Sequence, residues 1–492
     1  MKNIKKNNKL KDLNRILTFI DFVYYLFPNF IKVSDFLFTP YSSFNKSNYF
    51  IDKFYLYEEL KKEVIQILKT LHPSQHISKE VSSLFLKRFL KELENQIFNW
   101  NPYVYFLTIN KILEKKSSIF SVFQVIFCLY GFYINMKFLP VGLDKLVMDE
   151  FINIKKLIFK KFSKIKILSH ELEFIVNLCE TKLRSLKKVR INKRDYFEFI
   201  LTNFYSKDVN LKETKELLEE IFWLNIPKFE KLNNKCEFKK LEFQSLIEIK
   251  KILKNYYENL KNELIDTLPL VDLELKIKKV PPFLEKFWPL AASDNFVFYI
   301  NQKILNQAAY NNQQFIKFTF VHEFYPGHSY QYKFVVLNSN PIFKLLKNSF
   351  FYEGWSLYWE DKIFKESTDE KEQFIYLKFF LLRVVRGLFD IVFNCSFRLD
   401  KKFLSKVEKY FGGDYINYLK SKVLIIPTVY ISYVLGYFKF LEIEKNFMNV
   451  FKNKKEFYSF ILNHGELPFH FLTNLIYNNY YNNKKNNEHG NQ

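Results

Sequence analysis

Residues that interrupt regular secondary structure are scarce in this chain. Its 492 residues include only 10 glycines and 14 prolines, so few positions stop a helix or permit a left-handed turn. Leu, Ile, Phe, Lys and Glu recur at spacings of three and four, which is typical of amphipathic helices. Examples of such segments are Tyr55–Leu71, Val81–Phe98 and Lys212–Ile226. The sequence therefore predicts a mainly α fold.

Cysteine is almost absent as well. Cys128, Cys179, Cys236 and Cys395 lie far apart and form no CxxC pair, so neither a disulfide framework nor a cysteine zinc knuckle is indicated. The basic N-terminus leads into an apolar run, but Asp21 interrupts that run and no small-residue cleavage site follows, which argues against a signal peptide. We therefore predict a reducing, cytoplasmic location.

Acidic residues are in the minority. There are 75 Lys and Arg against 52 Asp and Glu, which gives a formal net charge of +23, and such a surplus can indicate a nucleic acid or an anionic membrane as partner. Most of the surplus is Lys spread along the whole chain, and it accompanies many Phe, Tyr, Ile and Asn residues. An AT-rich genome explains this composition at least as well, so no specific nucleic-acid partner is predicted.

Long uncharged segments are also rare. Ser117–Met136 carries no charge over 20 residues, which is the length of a membrane-spanning helix. Its polar and small residues, among them Ser121, Gln124 and Asn135, favour burial inside the protein instead. No membrane span is predicted.

Turn-forming residues divide the chain at a few places. We predict breaks at Phe27–Asn48, Leu71–Gln75, Asn225–Lys228 and Val280–Phe283. No internal repeat is present, so we predict one mostly helical domain over residues 1–477 and a disordered asparagine-rich tail over 478–492.

One short segment has the composition of a strand. Residues 295–301 read NFVFYIN, rich in aromatic and β-branched side chains. A strand here, about twenty residues before the histidine segment described next, can bind an extended peptide along its edge. Tyr299 within it is a candidate substrate-binding residue.

The segment HEFYPGH carries residues suited to a metal centre. A hydrolytic zinc site needs protein ligands, an open position for water and a carboxylate beside that water, and His322, Glu323 and His328 supply two ligands and the base. Histidines six residues apart lie about 120° apart around an unbroken helix. Pro326 and Gly327 predict a helix break that brings His328 back toward His322. The alternative is two unrelated histidines, one packed in a core helix and one at the surface.

A third ligand lies downstream, in FYEGWSLYWE. Glu353 starts a helical run in a strongly apolar and aromatic setting, and a buried carboxylate needs a partner. As a ligand, it would complete a His2Glu set for one zinc ion. The alternative is a carboxylate at the start of a helix that is favoured by the helix dipole.

Charged residues also share one stripe of a later helix. Arg383, Arg386 and Asp390 occupy positions i, i+3 and i+7. They are either the solvated face of an amphipathic helix or buried charges that pair with each other and orient metal ligands.

Together these residues resemble a known family, the bacterial domain-of-unknown-function 885 proteins, which are similar to gluzincin metallopeptidases. The resemblance covers nearly the whole chain. It rests on HEFYPGH with Gln331 just after it, on EGWSLY from Glu353, and on the stripe R-x-x-R-x-x-x-D. A less specific similarity to the family is GELPF at Gly465–Phe469.

The resemblance implies a large helical, zincin-like (gluzincin) architecture with a small β element beside the zinc helix. His322, His328 and Glu353 would bind one Zn²⁺ ion, Glu323 would act as general base, and the substrates would be peptides. The residues Gln331, Arg383, Arg386, Asp390 and Tyr299 would support the ligands or bind substrate.

The chain also departs from the family pattern. The family usually shows PGQALSYKIG, where this chain has PTVYISYVLG, so Thr428 and Val429 replace glycine and glutamine. The histidine expected four residues after Asp390 is Asn394. These departures concern substrate recognition more than metal binding. Tyr433, which persists in this stretch, is a candidate to stabilise an oxyanion.

The sequence thus favours a zinc-dependent metallohydrolase, a peptidase that uses activated water. Two alternatives stay open. One is a catalytically impaired relative that binds zinc or peptide. The other is a basic nucleic-acid-binding protein in which the HEFYPGH segment is fortuitous.

Overall fold

The computed structural model describes most of the chain after its first hundred residues. It covers residues 103–482 apart from gaps at 115–116, 142, 166–168, 190–191, 237, 239–240, 281–284, 286–289, 295, 308 and 339–347, together with six positions between 80 and 91. The features predicted at Tyr55–Leu71, Phe27–Asn48 and Leu71–Gln75 lie outside these residues. The described positions of Val81–Phe98 are helical.

Helices dominate the described residues, which confirms the predicted mainly α class. In chain order the helices are α1 Tyr103–Glu114, α2 Ile119–Asn135, α3 Asp144–Phe162, α4 Ser169–Ser185, α5 Arg194–Ile200, α6 Leu211–Lys235, α7 Leu246–Glu263, α8 Gln313–Glu323, α9 His328–Leu337, α10 Ser349–Phe364, α11 Glu370–Asn394, α12 Lys401–Phe411, α13 Gly413–Ile425, α14 Val429–Phe447, α15 Lys454–Asn463 and α16 Phe469–Ile476. The strands are β1 Phe138–Pro140, β2 Lys187–Val189, β3 Lys276–Lys279, β4 Ala291–Asp294 and β5 Val297–Ile300. Short 3₁₀ or π turns occupy Leu201–Tyr205, Gln302–Asn306, Met448–Val450 and Tyr477–Asn482.

Polar side chains define where many of these helices begin. Ser118, Asn210, Ser245, Asn312 and Asn453 each accept a hydrogen bond from a backbone N–H in the first turn of the helix that follows. Such caps satisfy N–H groups that have no partner within the helix. The sequence therefore sets several helix boundaries locally, before tertiary packing acts.

The chain forms two compact units. Among the described residues, the first comprises those up to Phe197 together with Val392–Pro427, and the second comprises Glu198–Ile391 and everything from Thr428 onward. The single domain predicted over residues 1–477 stays a prediction, because a division by contacts does not show that either unit folds alone.

The first unit has an aromatic helical core and a small parallel pairing of β1 with β2. Phe106, Phe132 and Phe151 are fully buried and their ring centroids lie 5.8 to 6.2 Å apart. Phe132 belongs to α2, the helix formed by most of the uncharged segment Ser117–Met136. Within the described part of the chain, no helix combines the length and the apolar character needed to cross a bilayer.

The second unit contains a three-stranded sheet in the order β3-β5-β4. The central strand β5 confirms the strand predicted from NFVFYIN. It pairs in parallel with β3 and antiparallel with β4. The strand β4 therefore forms one edge of this sheet, and it packs against α8 and α9, the two helices of the HEFYPGH segment.

The break predicted at Asn225–Lys228 is wrong, because α6 continues through Pro227. A proline inside a helix removes one backbone hydrogen bond and strains the preceding turn. Here Phe222, Ile226 and Phe229 are buried on both sides of the proline. Their packing holds the helix together across the position that local propensity would interrupt.

Candidate metal centre

The HEFYPGH segment folds as two helices with a sharp break between them. The helix α8 ends at Glu323, the Tyr325–Pro326 peptide bond is cis, and α9 begins at His328. A Cβ atom added at Gly327 would lie 1.9 Å from the carbonyl oxygen of His322, so only glycine fits there. The predicted break is confirmed. It brings the Nε2 atoms of His322 and His328 to 3.1 Å from each other.

The predicted third ligand joins the two histidines. Oε2 of Glu353, on the second turn of α10, lies 3.6 Å from Nε2 of His322 and 3.4 Å from Nε2 of His328. The Glu353 side chain is 1% exposed, and among the residues that the structure describes no group donates a well-aligned hydrogen bond to either carboxylate oxygen. A buried carboxylate left in this state is costly unless a cation binds it.

The three groups fit a zinc ion. Zinc binds imidazole nitrogen and carboxylate oxygen at about 2.0–2.2 Å in a tetrahedral arrangement, which places neighbouring ligand atoms about 3.3 Å apart. The three distances between the Nε2 and Oε2 atoms, 3.1, 3.4 and 3.6 Å, scatter around that value. Both the donor set and its spacing therefore suit a single zinc ion held by three protein ligands.

The electrostatics of the three ligands are strongly coupled. Burial opposes a charge on His322, but the carboxylates of Glu360 and Glu353 outweigh it and raise the pKa of His322 to about 9. Burial lowers the pKa of His328 to about 4. Burial also opposes a charge on Glu353, but His328 and His322 hold the pKa of that carboxyl at about 2. Without a cation, the site thus keeps one carboxylate and one imidazolium in contact.

A buried ion pair orients His322. Nδ1 of His322 lies 2.6 Å from Oε1 of Glu360, and Nη2 of Arg383 donates to the same oxygen over 2.7 Å. With its Nδ1–H bound to a carboxylate, the imidazole presents Nε2 to the other ligands. The sequence prediction missed Glu360. A signal was present, because Glu360 follows Glu353 by seven residues and so lies on the same helical face.

A hydroxyl orients His328 in the same way. The Oγ of Ser356 donates to the carbonyl oxygen of His322 over 2.9 Å and lies 3.0 Å from Nδ1 of His328. Since its single proton goes to the carbonyl, the hydroxyl accepts from Nδ1–H of His328. The ring of Tyr352 stacks on the same imidazole at 3.7 Å between centroids. Neither Ser356 nor Tyr352 was predicted, although both lie within FYEGWSLYWE.

The predicted general base follows His322 directly in the chain and contacts the sheet. Glu323 is half-buried, and its Oε2 accepts a hydrogen bond of 3.1 Å from the backbone N–H of Ser293 in the edge strand β4. Burial raises the pKa of Glu323 to about 7, against the opposing effect of His322. A carboxylate with this pKa can both take and return a proton near neutral pH.

Tyr433 reaches the same centre from α14. Its ring lies parallel to that of His322 with centroids 6.2 Å apart, and the guanidinium of Arg383 lies 5.7 Å from the centroid of the Tyr433 ring. Burial, and then the negative charge of Glu353, raise the pKa of Tyr433 well above its usual value. The phenol therefore stays protonated and can donate a hydrogen bond.

A close backbone crossing and a side-chain cap place α14. Gly354 and Gly436 let α10 and α14 cross in direct backbone contact, since a Cβ on Gly354 would lie 2.4 Å from the Gly436 carbonyl carbon. The carboxylate of Asp390 accepts from the N–H groups of Thr428, Tyr430 and Ile431 at 3.0 to 3.1 Å. Asp390 thus caps the start of α14, where Thr428 has a φ of 72° and its side chain makes no cap.

Each of the remaining predicted residues has a contact that the structure defines. Gln331 is buried and donates to Glu466 over a long contact of 3.4 Å. Arg386 lies 5.9 Å from the Tyr430 ring centroid. Tyr299 lies on β5 opposite Ala292 of β4. The charged stripe was predicted to be either a solvated helix face or a set of buried charges that orient metal ligands. Arg383 fits the second alternative, because it is buried and its ion-pair partner is Glu360.

Asn394, which stands where the family pattern has histidine, belongs to the first unit. Its side-chain amide donates to the carbonyl of Val423 over 2.9 Å, and its backbone carbonyl accepts from the N–H of Lys193. Asn394 therefore has a structural role in holding together segments of that unit.

Two solved structures have a fold similar to that of this chain. One is from Colwellia psychrerythraea, with a TM-score of 0.68 and 11% identity over 96% of this chain and 99% of that one. Another is from Shewanella oneidensis, with a TM-score of 0.67 and 13% identity over 94% and 98%. Each is described as a "putative lipoprotein", the second as being of unknown function. At these identities the likeness concerns the fold alone.

Comparison of sequences gives a more specific result. No curated protein matches the chain. Residues 212–476, more than half of the chain, match the family described as bacterial proteins of unknown function, and they include every predicted metal ligand. The chain therefore belongs to the family DUF885.

Proposed function

We propose that the protein is a zinc-dependent hydrolase that cleaves peptide bonds in a zincin-like site. The observation that carries this proposal is the convergence of His322, His328 and Glu353, with ligand atoms 3.1 to 3.6 Å apart and a buried carboxylate that accepts no well-aligned hydrogen bond from the described residues. A zinc ion bound there would lower the pKa of a water molecule to about 7 and polarise the substrate carbonyl.

Glu323 supplies the proton transfers. It takes a proton from the attacking water and then delivers it to the nitrogen of the leaving amine, so that a C–O bond replaces the peptide C–N bond. The backbone N–H of Ser293 holds the carboxylate in place for this task. With its pKa raised to about 7 by burial, Glu323 can exchange a proton in both directions.

Tyr433 is suited to bind the oxygen on which negative charge develops. Its phenol keeps its proton, because burial and Glu353 raise its pKa. A hydrogen bond from that phenol would be stronger to the oxyanion than to the substrate carbonyl, and such a difference accelerates the reaction.

A peptide is the substrate class that fits the surroundings of Glu323. The strand β4 lies at the edge of its sheet, and Ser293 on that strand bonds directly to the proposed base. An extended peptide can add to such an edge through backbone hydrogen bonds, which brings a carbonyl close to Glu323. This supports peptide cleavage over other acyl transfers.

The test is a comparison of zinc-loaded wild type with Glu323→Gln on a diverse peptide library, with products identified by mass spectrometry. We expect Glu323→Gln to keep its zinc and to lose activity by at least about 100-fold. Glu366→Gln, which changes an exposed glutamate, serves as the matched control. Full activity in Glu323→Gln would refute the mechanism. Bound zinc without cleavage by wild type would favour a binding protein instead.

A further inference from the structure

The segment GELP, defined here as Gly465–Pro468, turns sharply between α15 and α16. Gly465 has a φ of 67°, in the left-handed region that glycine adopts without strain. Pro468 then begins α16 as its N-cap. This turn directs the next two residues into the protein, so that Glu466 is 1% exposed and Leu467 is fully buried. A buried carboxylate at a turn requires hydrogen-bond donors.

Two of those donors come from the helices that carry metal ligands. Oε2 of Glu466 accepts from the backbone N–H of Asn348 over 3.0 Å, and the Asn348 side chain donates to the carbonyl of Leu467 over 3.1 Å. Oε1 of Glu466 accepts from the side chain of Gln331 over 3.4 Å. Both Asn348 and Gln331 are buried.

Each contact lies close to a proposed zinc ligand. Asn348 is the N-cap of α10, where its side chain accepts from the N–H of Phe350, and Glu353 follows five residues later. Gln331 lies one turn after His328 on α9. The GELP segment therefore holds the start of α10 and the first turn of α9 at the same time.

We propose that Glu466 is a positioning residue that fixes the separation of His328 and Glu353 through Asn348 and Gln331. The inference rests on the proposed function, since it gives these two residues a common zinc ion. Glu466 itself does not touch that ion or the substrate. Its two oxygens accept from two helices, and a carboxylate does this without presenting a competing donor.

Three substitutions of Glu466 separate this role from general stability. Glu466→Ala removes both acceptors, so α9 and α10 lose their shared anchor. Glu466→Gln keeps an acceptor for Asn348. Within the described part of the chain, Oε1 of Gln331 has no hydrogen-bond partner. If the Gln331 amide rotates by about 180°, this oxygen can accept from the amide of the new glutamine. Glu466→Leu fills the volume without an acceptor, and it replaces the alanine variant in the test if that variant does not fold.

The first measurement is the zinc dissociation constant of the full chain, by competition with a chromophoric chelator. We expect about 10- to 100-fold weaker binding for Glu466→Ala and recovery to within about threefold of wild type for Glu466→Gln. Asp361→Ala is the matched control, since Asp361 is a buried carboxylate on α10, the helix that carries Glu353, and it accepts a hydrogen bond from Tyr437. It should lower the melting temperature without changing the zinc constant.

The second measurement needs no metal. In histidine-labelled apoprotein, long-range ¹H–¹⁵N spectra report the His328 imidazole, assigned by its loss in His328→Gln, and the stacked Tyr352 ring makes its shifts sensitive to position. We expect Glu466→Ala to move this resonance and Asp361→Ala to leave it unchanged. Absence of zinc from wild type would refute the proposed function alone. An unchanged His328 resonance, or wild-type zinc affinity in Glu466→Ala, would overturn the role of Glu466.

Discussion

The crossing of α10 and α14 offers a test of how backbone packing supports the centre. A Cβ atom added at Gly436 would lie 1.9 Å from the carbonyl oxygen of Phe350. The obstacle is backbone, so no change of rotamer removes the clash. Real Cβ atoms essentially never approach closer than 3.0 Å. The variant Gly436→Ala must therefore move the helices apart by the difference, about 1.1 Å, in a densely packed region.

This displacement has a calculable cost. Overpacking that shifts the backbone of a core costs about 3 kcal/mol, whereas replacing a helical glycine by alanine returns about 1 kcal/mol. We therefore expect Gly436→Ala to lower the free energy of unfolding by about 2 kcal/mol. The same movement shifts Glu353 relative to His322, so zinc affinity should fall as well.

A graded series makes this prediction specific. The closest obstacle is 2.4 Å from the new Cβ in Gly354→Ala and 3.3 Å in Gly387→Ala. Stability should therefore decrease in the order Gly387→Ala, Gly354→Ala, Gly436→Ala, as measured by urea unfolding of the full chain followed by tryptophan fluorescence. If Gly436→Ala had wild-type stability, or if the order were reversed, the close crossing of α10 and α14 would not be the cause of the stability differences.

Three further outcomes follow from other contacts. Glu360→Gln should weaken zinc binding by about 10- to 100-fold, because the Nδ1–H of His322 loses its carboxylate acceptor, and chelator competition measures this. Asp390→Asn should lower the free energy of unfolding by about 2 kcal/mol, because three N–H groups at the start of α14 lose a charged acceptor, and a wild-type urea midpoint would contradict it. Burial, followed by the charge of Lys207, lowers the pKa of His470 to about 4, below an unfolded value of about 6.5. Its stabilising contribution is thus present above pH 6.5 and is lost as the pH falls through 4, so His470→Gln should lose less stability than wild type between pH 7 and pH 4.

Local patterns in the sequence predicted much of this centre. The proline and glycine between His322 and His328 predicted the helix break, because their backbone restrictions act without tertiary structure. Glu353 stood out as a carboxylate in an apolar run. The strand β5 followed from its aromatic and β-branched composition. These signals are all contained within a few neighbouring residues.

Features that depend on packing between distant segments were missed. The spacing of seven residues from Glu353 places Glu360 on the same face of α10. Its contact with His322 also requires α8 and α10 to pack at a fixed rotation and spacing, which that spacing does not predict. The cap that Asp390 provides joins residues about forty positions apart in the chain. At Pro227, local propensity predicted a break, and burial of the residues on both sides prevailed.

The central claim is that His322, His328 and Glu353 bind one zinc ion. The most direct test is metal analysis of the purified full chain alongside His322→Ala, with His170→Ala as a control for an exposed histidine. The expected result is one zinc ion per chain in wild type and in His170→Ala, and none in His322→Ala. Absence of zinc from wild type, or an equal amount in His322→Ala, would contradict the claim.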